Sequence, residues 1–232
     1  MRKIFFLTVI EIIATCVSIP AQDGGFPNTP YQTWSKAQAD KIVLNSPWSK
    51  TTTFQPAPAE TRLVGPIILP PRDARIMLRS AQPVRQALLR LRQIEAKYDK
   101  MTEAERNVFD TKNKALLDCP ACTNYYVVWV TSKDLVMENK TYVSDRKKYV
   151  YLSNEKGERR ELAELGVLSQ QGNELVFYFP RADSSGRPLL TPGNTTLTFN
   201  YELRGLDGKS RFPFEKFDFK VADFVKDGVV LF

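Results

Sequence analysis

Cys119 and Cys122, in Asp118-Cys119-Pro120-Ala121-Cys122-Thr123, are the residues whose spacing most directly suggests chemistry. A Cys-x-x-Cys pair can form a local disulfide, act as a redox couple or supply half of a zinc site. Zinc needs further thiolate or imidazole ligands. The chain contains no histidine, and its third cysteine, Cys16, lies far upstream. Redox sites of the thioredoxin type place the pair after a strand and at a helix start, where the helix dipole favours the thiolate. Here a helix is expected before the pair and a strand after it, so a structural disulfide is expected. A loop this short constrains little of the unfolded chain and mainly shapes a turn.

The absence of histidine excludes Ser-His-Asp and Cys-His catalysis as well as histidine-ligated metals. The remaining candidates are acidic or basic clusters. Glu158, Arg159, Arg160, Glu161 and Glu164 could pair carboxylates for acid–base work, but a surface with internal ion pairs accounts for the same residues. Asp183-Ser184-Ser185-Gly186 resembles a fragment of a calcium loop without its later acidic ligands, and reads as a turn. Arg85, Arg90 and Arg92 give one expected helix a basic character. Over residues 82–118, however, eight basic residues face six acidic ones, without interleaved aromatics, so no nucleic-acid footprint is expected. Trp34 and Trp48 either anchor the N-terminal segment or, with Arg85, Arg90 and Arg92, form a binding surface. Neither Gly-x-Ser-x-Gly nor a phosphate-binding glycine motif occurs. No catalytic, cofactor-binding or metal-ligating residue is assigned.

The first residues read as an address. Arg2 and Lys3 precede the apolar stretch Ile4 to Ile19, and cleavage is expected after Ala21. Glu11 interrupts this stretch, which is also shorter than the roughly 20 residues a membrane-crossing helix needs. A lipoprotein signal ending at Cys16 is the minor alternative, because Thr15 is a poor residue before a lipidated cysteine. Cleavage would remove Arg2, Lys3 and Glu11, lowering the formal net charge by one from +7. It would also leave two cysteines in an oxidising compartment. Export to the periplasm or the medium is therefore expected, with no membrane span afterwards.

Periodicity and punctuation of the chain give the framework that carries these residues. The 232 residues suit one domain with an appended arm, and 15 Pro against 11 Gly argue for loops and edges rather than a long helical bundle. Residues 22–72 form a proline-rich arm. In it Ser35 caps a helix to about Asn45, Lys50–Gln55 is an edge strand, and Pro56 to Pro71 is an extended linker. Ala74–Arg79 is a strand. Val84, Ala87, Leu88, Leu91, Ile94 and Tyr98 then recur with helical spacing after Pro83. Thr102 with Glu105 starts a second helix to about Leu117. From Tyr125 the pattern becomes that of strands: Tyr125–Thr131, Lys148–Ser153, Glu174–Pro180, Thr195–Leu203, Arg211–Phe219 and Val229–Phe232. Asp207-Gly208, Asp227-Gly228 and Pro192-Gly193-Asn194 mark turns.

Ser46-Pro47-Trp48-Ser49-Lys50, Arg79-Ser80-Ala81-Gln82-Pro83-Val84-Arg85, Tyr125-Tyr126-Val127-Val128 and Phe177-Tyr178-Phe179-Pro180-Arg181 together resemble a group of exported proteins from soil bacteria of the acidobacterial type. No activity is attached to that group. The resemblance implies a bacterial exported protein and supplies no site residues. It also makes the glycosylation patterns at Asn139 and Asn194 irrelevant.

The expected fold is mainly β: an immunoglobulin-like sandwich over residues 73–232 carrying a two-helix hairpin at about 82–118, with a β-barrel or an α+β arrangement as alternatives. The expected function is non-enzymatic, with no cofactor and with an unidentified protein or envelope polymer as partner. A His-independent carboxylate hydrolase and a Cys-x-x-Cys redox protein are the competing readings.

Overall fold

Ser35 opens helix α1 (Lys36–Leu44) with a capping box: its hydroxyl accepts from the Gln38 N–H, and the Gln38 side chain accepts from the Ser35 N–H. Ala39, Ile42 and Val43 form the buried side, as their spacing requires. Strand β1 (Ser49–Phe54) follows and pairs antiparallel with β4 (Arg72–Leu78). Between these two strands, β2 (Ala59–Thr61) and β3 (Gly65–Ile67) form a short antiparallel pair inside the stretch expected to be a plain linker. These coordinates are a computed structural model describing residues 29–54, 59–61, 65–67, 70–132, 149–168, 174–201, 215–226 and 229–230. The leader, Asn139, Asp207-Gly208 and Asp227-Gly228 lie outside the described residues.

The helical hairpin sits where the periodicity places it, between two strands of one sheet. Helix α2 (Gln82–Glu95) carries Pro83 in its first turn, where a missing N–H removes no intrahelical bond. Lys97, at φ 56°, turns the chain into a 3-10 turn at Tyr98–Lys100. Thr102 and Glu105 then form the expected capping box of α3 (Glu103–Asp118). Cys119 ends α3 in the left-handed conformation and leads through Pro120–Thr123 into β5 (Tyr125–Thr131).

Two antiparallel sheets make up the β part. The first has the order β1-β4-β5-β9-β8, with β8 (Glu164–Val167) and β9 (Glu174–Pro180). The second has the order β11-β10-β6-β7, with β6 (Val150–Asn154), β7 (Arg159–Glu161), β10 (Thr196–Tyr201) and β11 (Glu215–Lys220). A short pair, β12 (Val225–Lys226) with β13 (Val229–Val230), follows. Among the described residues three α-helices bring more helix than a mainly β reading expects.

The register explains why the two sheets share one core. Residues directly opposite in an antiparallel pair lie on the same face. Val128 opposes Phe177 and Leu78, Tyr126 opposes Phe179, and Val130 opposes Leu175, all on the inner face of the first sheet. Phe199 opposes Leu152 and Phe217 in the second sheet. The Phe199 ring lies 5.6 Å from that of Phe177 and 6.0 Å from that of Phe179, while Tyr201 lies 5.5 Å from Phe177. These rings close the space between the sheets, and Phe177, Phe179 and Phe199 are fully buried. Trp34 and Trp48 belong to the same apolar cluster, so the N-terminal segment is built into the body.

One segment departs from its reading. Residues 158–165, read as a charged surface, form β7 and β8 with Leu162 buried between them. Arg160 is also buried, and one of its terminal nitrogens donates to the Arg187 carbonyl at 2.7 Å. The carboxylates Glu161 and Glu164 therefore stand on two strands in different sheets, not at helical spacing on one face.

Candidate functional site

The hairpin creates a concave site. Helices α2 and α3, their 3-10 link and a second 3-10 turn at Tyr31–Thr33 enclose a cleft of about 470 Å³. Tyr31, Gln93, Tyr98, Asp99, Asp110, Asn113, Lys114 and Asp118 are among its lining residues. The Tyr98 hydroxyl donates to Asp110 at 2.8 Å, and its ring meets Phe109 edge-on. That hydrogen bond pushes the Tyr98 phenol up. Burial, and then the Asp110 charge, pushes the Tyr31 phenol up. Both phenols therefore stay neutral donors at neutral pH.

Arg90 forms the buried support of this cleft. Its Nε donates to the Trp34 carbonyl at 2.9 Å, and one terminal nitrogen lies 3.4 Å from Asp99. Arg92 donates to the Asn113 side chain at 3.0 Å, and Asn113 donates to the Phe109 carbonyl, so the two helices are cross-tied. The Thr111 hydroxyl on the wall donates to the Asn107 carbonyl instead of engaging a carboxylate. The cleft thus offers aromatic edges, amides and acids, a lining suited to hydrogen-bonding a hydroxylated ligand.

A second cluster lies at the end of the first sheet. Strands β4 and β9 flank β5 and both run antiparallel to it, so both end beside the first residues of β5. The Ser80 N–H donates to the Val127 carbonyl, and the Arg181 N–H donates to the Asn124 carbonyl. Arg79 and Arg181 are thereby brought to one end of the sheet, where α2 begins with Arg85 in its opening turns. The Arg79 guanidinium stacks 5.2 Å from the Trp129 ring centre, and that of Arg181 lies 4.9 Å from the Tyr126 ring centre. Burial pushes all three guanidinium pKa values down. For Arg85 the positive charges of Arg181 and Arg79 add to the effect.

Cys119 and Cys122 sit within this second region at bonding distance, with their Cα atoms 5.3 Å apart. Both are buried against Val127 and Val176 on the outer face of the sheet. The Arg181 Nε donates to the Cys122 carbonyl at 2.8 Å, fastening the turn to β9. The pair follows a helix C-terminus, where the dipole disfavours a thiolate.

The five residues read as one contact surface do not share an exposed face. Trp34 and Trp48 are each 1% exposed and anchor the N-terminal segment, because bulky rings with one polar atom gain most from burial. Arg90 is buried against the Trp34 backbone. Arg85 is half-buried and Arg92 exposed on α2. Asp183 is occupied by its own turn: Oδ1 accepts from the Ser185 and Arg187 N–H groups, with Gly186 at φ 80°. Among the described residues no group of three acidic or cysteine side chains is placed to hold a metal.

Sequence reasoning passed over Tyr31, counted Asp110 only among the hairpin's charges, and took Arg79 and Arg181 only as parts of longer motifs; it placed Tyr98 on the apolar face of the first helix, whereas α2 ends at Glu95 and Tyr98 lies in the 3-10 turn beyond it. The one available signal for the arginines was their position, each immediately past an apolar strand. Comparison with protein-family models, curated proteins and solved structures finds no match.

Proposed function

We propose that this is an exported, non-enzymatic bacterial protein that binds a segment of a hydroxylated envelope polymer in the cleft of its helical hairpin, on an immunoglobulin-like sandwich. The observation that carries the reading is the cleft itself. Its two tyrosines and its amide and carboxylate groups present donors and acceptors side by side on a rigid, cross-tied helix pair. Two sheets packed around one core support the sandwich, a fold type that hosts many binding functions. The paired cysteines are what an oxidising compartment would maintain. Among the described residues no helix is long and apolar enough to cross a membrane.

The test is calorimetric titration of the purified protein with soluble peptidoglycan and polysaccharide fragments. Saturable binding that is weakened at least tenfold by Tyr31→Ser is expected. Absence of binding, or binding indifferent to that change, contradicts the reading. Mass spectrometry of protein expressed with its leader is expected to find Gln22 as the first residue. An intact chain retained in the cytoplasm contradicts export.

A second reading has one observation in its favour: Asp99, Asp110 and Asp118 share the cleft, as a His-independent hydrolase using paired carboxylates would require. New fragments released during the same titration, and lost in Asp110→Asn, would favour it over simple binding.

A further inference from the structure

Among the described residues, Gln93 and Asp110 each leave a polar atom without a partner in the hairpin cleft, and the two atoms are of opposite kind. Gln93 lines the cleft and is 4% exposed. Its side-chain oxygen accepts from Arg90 at 3.5 Å, which turns the amide nitrogen away from that guanidinium. The nitrogen donates to no described residue, yet it is not sealed from the surface, so it opens on the cleft. Asp110 supplies the acceptor. One of its carboxylate oxygens accepts from the Tyr98 hydroxyl, and the other meets no donor. The cleft sets three carboxylates against two cations. Arg90 faces Asp99 at 3.4 Å and Lys114 faces Asp118 at 3.9 Å, whereas Asp110 has no cationic partner among the described residues. Arg106, one turn before it on α3, donates instead to the Tyr98 and Asp99 carbonyls. The Arg92–Asn113 hydrogen bond ties α2 to α3 one residue from Gln93 and three from Asp110, so both stand beside the same cross-tie.

Resting on the reading of this cleft as the polymer site, we propose that it selects an amino sugar with a free ammonium group. The ammonium sits on the Asp110 carboxylate, and a neighbouring hydroxyl oxygen accepts from the Gln93 amide. A carboxylate without a cation favours a positive group, and a charge-assisted hydrogen bond is roughly twice as strong as a neutral one. The Gln93 donor alone would serve any hydroxyl. Beside an uncompensated carboxylate it fits the amino and hydroxyl groups that adjoin each other on a hexosamine ring. Acetylation removes the charge and leaves only a neutral N–H for Asp110. The half-buried Tyr31 ring lines the same cleft and adds an aromatic face, which attracts a cation.

The experiment is calorimetric titration of the purified protein with a short glucosamine oligomer and with its fully N-acetylated counterpart. The pH is set above the ordinary carboxylate range and low enough to keep the ligand amines charged. Binding of the glucosamine oligomer at least tenfold tighter is expected, with the preference lost in Asp110→Asn. The preference is expected to persist in Glu103→Gln, which removes an exposed charge at the start of α3 outside the cleft. Gln93→Met should weaken both oligomers by a similar factor; if it does not fold, the exposed Asp110→Asn decides alone. Equal affinity for the two oligomers, tighter binding of the acetylated one, or a preference that survives Asp110→Asn or vanishes in Glu103→Gln would overturn the amino-sugar assignment and leave polymer binding standing. Binding of neither oligomer overturns it too. Only if the peptidoglycan and polysaccharide fragments also fail to bind does the polymer reading fall with it.

Discussion

The two faces of the five-stranded sheet are finished in different ways. On the inner face Val128, Val130, Leu175, Phe177 and Phe179 are buried almost completely, and a second sheet closes over them with Phe199, Tyr201 and Phe219. On the outer face Met77, Val127 and Val176 are buried, but Tyr125, Trp129 and Tyr178 are only half-covered, and the Arg79 guanidinium lies over Trp129. The covering over Val127 and Val176 comes from the disulfide turn at Cys119 and Cys122, which is too short to match a sheet's pleat along its whole length. The inner face secures the fold, whereas the outer face and the hairpin leave polar groups available to a ligand.

Phe199→Ala strikes the inner face hardest, since Phe199 touches rings of both sheets. A loss of about 3–5 kcal/mol in urea unfolding is expected, the usual cost of emptying a buried aromatic site. Arg90→Ala tests the hairpin's anchoring. It leaves the Trp34 carbonyl without its donor, and a loss of about 1–3 kcal/mol is expected from the same measurement. Replacing both Cys119 and Cys122 with Ser should cost no more than about 2 kcal/mol, because the closed loop is so short. A larger loss would show that the turn holds the outer face together as firmly as the second sheet holds the inner.

The smallest effect is expected at the start of α3. Thr102→Ala should cost about 1 kcal/mol through loss of the cap. Hydrogen bonds from the Thr102 N–H and hydroxyl hold the Glu105 carboxyl below the ordinary range. A depressed folded pKa gives stability that is complete above the unfolded carboxylate range and is lost as pH falls through the folded value. The difference between wild type and Thr102→Ala should therefore narrow on acidification, measured by thermal unfolding across that range. A difference that widens would contradict this account of the cap.

The sequence made one face of this comparison far more legible than the other. Tyr125–Thr131 and Glu174–Pro180 coincide with observed strands because aromatic and β-branched residues mark them without interruption. Ser35 and Thr102 disclosed their helices through local cap chemistry. Strand β7 escaped notice because Arg159-Arg160-Glu161 has no apolar marker; its central Arg160 is buried only because the Arg187 carbonyl meets it from 27 residues away. The cleft was illegible for the same reason. Arg90 finds the Trp34 backbone across 56 residues, a partnership that no local spacing announces. Arg79 and Arg181 reach the same end of the sheet only because β4 and β9 run the same way beside β5, and they stack there on rings of opposite faces, Trp129 and Tyr126.

The division of labour between the scaffold and the hairpin cleft is decided by Tyr31→Ser, followed both by urea unfolding and by titration with soluble peptidoglycan and polysaccharide fragments. An unfolding loss well below that of Phe199→Ala is predicted, because Tyr31 is only half-buried, together with binding weakened at least tenfold. A loss equal to that of Phe199→Ala, with fragment binding unchanged, would show that Tyr31 belongs to the scaffold and would contradict this division.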